Sequence, residues 1–101
     1  MADFIYLMHE AEPADPVVWQ AYIDGLNAKG VLRGGSAIGR GVCLHKDGAP
    51  PPISHHIVGY VRIEVADMAA AQALLVGNPV YEAGGVIEVR ELPRAIGPAP
   101  N

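Results

Sequence analysis

Four histidines, His9, His45, His55 and His56, are the residues of this chain best suited to chemistry. An imidazole titrates near neutral pH and serves as a general base or a metal ligand. His55 and His56 are adjacent at the start of an alternating segment, so they point to opposite faces and do not jointly hold one ion. No His-x-His or His-x-x-x-His spacing occurs, and the expectation is no metal site. Glu10 follows His9 directly after the first apolar run. A carboxylate and an imidazole that converge make a proton-transfer pair, and Glu10 with His55 is the pair expected to be catalytic. Arg62 lies on an alternating segment with Tyr60. Its guanidinium suits an anionic group, so His9, Tyr60 and Arg62 are the expected ligand-binding residues. The competing use of Arg62 and Arg90 is cross-strand pairing with Glu64 and Glu88.

Other motifs carry less. The run Gly34-Gly35-Ser36-Ala37-Ile38-Gly39-Arg40-Gly41 is rich in glycine but lacks the Gly-Lys-Ser/Thr ending and a following helix, so it is no phosphate loop. Ser36 has no G-x-S-x-G setting. Cys43, the single cysteine, forms no intrachain disulfide and reads as a small buried hydrophobe in a strand, in keeping with a reducing cytoplasm.

The elements that position these residues follow from periodicity. Phe4 to Met8 reads as a strand buried on both faces. Asp15 and Pro16 start a helix over 16–29, with Trp19, Ile23 and Leu26 at helical spacing and Gly30 as its stop. Val31 and Leu32 open a glycine-interrupted strand that is bent, bulged or at an edge. Val42 to Lys46 reads as the returning arm of a hairpin, and Pro50 to Pro52 as a stiff loop. Ile57 to Val65 alternates, with Ile57, Val61, Ile63 and Val65 on one face and Tyr60, Arg62 and Glu64 on the other. Asp67 caps a second helix over 68–76, ended by Gly77-Asn78-Pro79. Val86 to Leu92 is the last strand.

This order predicts an α+β fold of ferredoxin-like βαββαβ architecture, an antiparallel sheet with two helices on one face. The expected domain spans 1–92, with a Pro-rich tail over 93–101. A chain of 101 residues holds one domain and gains from a partner subunit. The face carrying Tyr60 and Arg62 has no helix to cover it, which suits a homodimer enclosing a partly polar cleft. A net charge of −4 without a basic patch argues against nucleic acid. No signal peptide and no membrane span are expected, because Asp3 interrupts the start and no apolar run is long enough.

The segment Asp47-Gly48-Ala49-Pro50, followed by Gly59-Tyr60-Val61-Arg62-Ile63-Glu64, resembles the YCII-related proteins, in particular the branch named for a DGPF motif. Phe4 to Met8, Ala28-Lys29-Gly30-Val31-Leu32, and Asn78-Pro79 through Gly84-Gly85-Val86-Ile87-Glu88-Val89-Arg90 are similar to the same family. The likeness covers about residues 3 to 92. It implies a dimeric α+β barrel in which two sheets face each other around a site built on an acid and a histidine. Glu10 stands at the acid's position. Pro50 stands where the motif has Phe, and Val17-Val18-Trp19-Gln20 lacks the first-helix histidine of the other branch. The expected function is a cofactor-free acid–base enzyme acting on a small compound in the dimer cleft. The alternative is a non-catalytic small-ligand or regulatory module of the same shape.

Overall fold

The central strand decides how the rest of the chain packs. In the computed structural model, which describes residues 1–94, β1 (Ala2–His9) buries Phe4, Tyr6 and Met8 on one face. Asp3, Ile5, Leu7 and His9, on the other, remain half-buried. β1 pairs antiparallel with β3 (Ile57–Val65) and with β4 (Ile87–Leu92), and β2 (Leu32–Ala37) adds to the outer side of β3. The sheet order β2-β3-β1-β4, antiparallel throughout, is that of the ferredoxin-like fold. Residues 95–101, most of the tail expected from the sequence, lie outside the described residues.

Asp15 starts α1 (Pro16–Ala28): its carboxylate accepts from the Val17 N–H at 2.8 Å, with Pro16 at the first helical position. Gly30, at φ +72°, takes the left-handed turn that ends it. Asp67 caps α2 (Met68–Ala73) by accepting from Ala70 N–H at 2.9 Å. Tyr22, Leu26, Ala71 and Leu75 cover the Phe4, Tyr6, Val61, Ile63 and Val65 face of the sheet. Two buried phenols lock this layer, Tyr6 donating to the Ala71 carbonyl and Tyr22 to the Leu74 carbonyl at 2.8 Å. Burial pushes both phenols above their ordinary value, so both remain protonated donors.

The structure departs from the sequence reading in five places. β1, expected to be buried on both faces, is buried on one and half-buried on the other. Val42 to Lys46 forms no strand. Residues 38–56 run without regular structure, because β2 pairs with β3 itself and sets Leu32 against Ile63. Cys43 accordingly lies half-buried outside any strand. α2 ends early, since Leu75 and Val76 turn to carbonyls three residues back, Gln72 and Ala73. After it, Asn78 and Pro79 start a further turn of helix, α3 (Pro79–Glu82), with the buried Asn78 side chain accepting from Val80 and Tyr81 N–H. Among the described residues no helix is long and apolar enough to cross a membrane.

Tyr6→Phe removes the hydroxyl that satisfies a buried carbonyl, and should cost about 1–3 kcal/mol of stability in a urea titration. A neutral substitution would show that the Tyr6–Ala71 bond contributes nothing net.

Candidate functional site on the open sheet face

Among the described residues, no helix lies on the second face of the sheet. Period two and the strand register assemble it: Leu7 stands opposite Tyr60 and Glu88, and Ile5 opposite Arg62 and Arg90. On the other flank of β3, Tyr60 faces Ser36 and Arg62 faces Gly34, which has no side chain. Ile5, Leu7, Tyr60 and Arg62 are all half-buried, neither dry core nor free surface.

His9 closes β1 at one end of this face. Its N–H donates to the Val86 carbonyl at 3.0 Å, which pins the backbone, and its Nε2 lies 2.7 Å from Glu88 Oε2. An ionised carboxylate only accepts, so the Nε2 that faces it carries a proton. The hydrogen bond from His9 holds the Glu88 carboxyl below its usual range, with a smaller push from Arg90 at 3.5 Å. The ladder between β1 and β3 is irregular just before His9. Beyond that break the His56 ring meets His9 edge-on, the centroids 5.1 Å apart. One ligand atom from each of His9, His56 and Glu88 lies within 4.8 Å of the others.

The charges pair differently from the sequence expectation. Glu64 takes Arg33 at 2.7 Å and also Arg94, rather than Arg62. Arg94 further binds Asp3 at 2.8 Å. Arg62 makes no ion pair among the described residues, and its Nε is buried without a hydrogen-bond partner. A guanidinium left open in the middle of a half-buried face is a ready partner for an anionic group.

Glu10 and His55 both lie exposed at the His9 end of the sheet. The chain brings their strands together there, Glu10 N–H donating to the His56 carbonyl at 2.7 Å, while no side-chain hydrogen bond joins Glu10 to His55 among the described residues. Of the expected ligand-binding residues, His9, Tyr60 and Arg62 share the open face. Sequence reasoning named His56 as a candidate for chemistry but set neither it nor Glu88 beside His9. The only signal in the sequence was alternation, which puts Glu88 on the Arg90 face but does not set its register against His9. Round the β2 edge, on the helix side, a groove of about 540 Å³ runs between α1 and the sheet past Trp19, Ile23 and Val61 and reaches His9 and Tyr60.

No protein-family model and no curated protein sequence matches the chain. Among solved structures it is similar to 5-chloro-2-hydroxyhydroquinone dehydrochlorinase (TftG) from Burkholderia phenoliruptrix AC1100, in complex with 2,5-dihydroxybenzoquinone. The TM-score is 0.48 and the identity 16%, over 94% of this chain and 96% of that one.

Asp3, Glu64 and Glu88 are each held below the usual carboxylate range, the first two chiefly by hydrogen bonds from Arg94 and the third by His9. Their contribution to stability is complete above the unfolded-state value of ~4 and is lost as pH falls through the lower folded values. Urea midpoints should therefore hold steady from about pH 7 to 5 and drop below about pH 4. Constant midpoints down to about pH 2 would remove these pairs as contributors.

Proposed function

We propose that this chain is a YCII-like protein of the DGPF-type branch in which a second copy closes the open sheet face into a cleft for a small anionic or phenolic compound. Within that cleft His9, oriented by Glu88, moves a proton, with no cofactor required. The observation that carries this reading is the 2.7 Å bond between His9 Nε2 and Glu88 Oε2. A carboxylate-oriented imidazole is held in one tautomer, which leaves Nδ1 as the general base of this reading. Arg62, unpaired in the middle of the face, holds the anionic group, and Tyr60 beside it offers a ring and a hydroxyl. Glu10 and His55 stand at the rim of the same end, where they meet a compound as it arrives. The partner is a second copy because Ile5 and Leu7, central and apolar, are left half-bare by this chain alone. The setting is the cytoplasm, where Cys43 stays reduced.

The unpartnered Arg62 Nε favours a second reading, a binding module without turnover. Both readings need the cleft, and only the first needs the His9 tautomer.

Light scattering at micromolar concentration should give twice the 10.6 kDa chain mass. A monomer would remove the cleft. Nitrogen-15 NMR should show His9 as the Nε2–H tautomer in the native chain, and as a mixture in Glu88→Ala. For any compound of a phenolic and carboxylic panel that is turned over, His9→Ala should slow the reaction by about 10²–10⁴-fold. Arg62→Ala should chiefly weaken binding of the compound. Binding across the panel with no turnover would select the second reading.

A further inference from the structure

We propose that His9, His56 and Glu88 form a binding site for one divalent first-row transition cation. The inference uses the same His9–Glu88 pair as the proton-transfer reading but does not depend on that reading.

The donor set is two imidazoles and one carboxylate, the combination that suits zinc, cobalt, nickel or iron. It is a poor match for calcium or magnesium, which require a shell of oxygens. The three residues come from three backbone segments, each tied at or beside the ligand. His9 is tied by its N–H to the Val86 carbonyl at 3.0 Å, and His56 by its carbonyl, which accepts from Glu10 N–H at 2.7 Å. Glu88 is tied by its place in β4, opposite Leu7. His9 and Glu88 are thus placed by strands, and His56, in the bend just before β3, by its carbonyl's bond to Glu10 N–H.

The spacing is near what an ion requires. Ligands at ~2.0 Å from a tetrahedral ion stand roughly 3.3 Å apart. Here His9 Nε2 and Glu88 Oε2 are closer, at 2.7 Å, because they share a proton, and no pair in the set exceeds 4.8 Å. An ion requires the first distance to open and the longest to shorten. Binding at Nε2 replaces the shared proton by the cation, and the ring takes the Nδ1–H tautomer, so that it ligates as a neutral imidazole with no net loss of a proton. The exposed His56 leaves one side of the cluster open to water or a ligand atom, the arrangement of a three-residue site with a free fourth position.

The consequence is exclusive use of His9. A ring nitrogen bound to a cation is no longer paired with Glu88 through a proton, so the loaded and metal-free chains differ at the very group proposed to move one.

The test uses the full, untagged chain and zinc chloride in isothermal titration, with cobalt(II) absorption as a second readout. One ion per chain is expected, with the d–d bands of a cobalt centre bound by nitrogen and oxygen. His56→Ala and Glu88→Gln should each weaken binding about tenfold or more, and His55→Ala, one residue away, should bind as the native chain does. His56→Ala leaves the His9–Glu88 pair in place, so its His9 tautomer, read by NMR, separates failure of the metal site from failure of the proton-transfer reading. The proposal is overturned by the absence of stoichiometric binding to the native chain. It is equally overturned if His55→Ala weakens binding as much as His56→Ala.

Discussion

The register between β1 and β3 is the constraint on which the structure depends. Phe4 against Ile63 and Tyr6 against Val61 place large apolar groups on the helix side. The same register sends Ile5, Arg62, Leu7 and Tyr60 to the other face, because the side-chain period is two. A slip of one residue would exchange the faces, burying Arg62 and exposing Phe4 and Tyr6. The apolar burial that holds the helices therefore also specifies which polar groups meet on the open side.

That open side shows how charge is distributed when no helix covers it. Glu64, near the β2 edge, is shared by Arg33 and Arg94, and Glu88, on the β4 edge, by His9 and Arg90. These pairs are half-buried to exposed, and each contributes only modestly to stability. Their effect is positional: with both glutamates engaged, the guanidinium of Arg62 is left over in the centre. Gly34, its cross-strand neighbour, leaves space beside it. Apolar surface, the Arg62 guanidinium and an imidazole–carboxylate pair occur together on one face, and each is there by register rather than by local sequence.

The two buried tyrosines perform the complementary task on the helix side. Where α2 loosens into tighter turns, carbonyls of Ala71 and Leu74 point inward, and Tyr6 and Tyr22 satisfy them. A buried carbonyl without a donor would cost more than these hydroxyls contribute net. The short second helix and the polar ends of otherwise apolar core residues are thus one solution, and Asn78, wholly buried, caps the next turn of helix in the same layer.

Much of this was legible in the chain. Period two in Ile57 to Val65 separated Val61, Ile63 and Val65 from Tyr60, Arg62 and Glu64, and Asp15-Pro16 and Asp67 marked both helix starts, because these signals depend on neighbours a few residues away. The glycines of 34–41 marked an edge strand, but the return arm at Val42 to Lys46 was misread. An apolar segment becomes a strand only if a partner edge is available, and β3 had already taken that edge of β2. Asn78-Pro79 carried a start signal for α3 that was read only as the end of α2. For the site, residue types pointed to His9, Tyr60 and Arg62 as companions, and alternation alone sufficed to put Tyr60 and Arg62 together. Tertiary structure alone decided that His9 meets Glu88 and His56, and that Arg62 makes no ion pair among the described residues. Those outcomes depend on strand order, register and the irregularity before His9, which are set by the packing of the whole sheet against its helices.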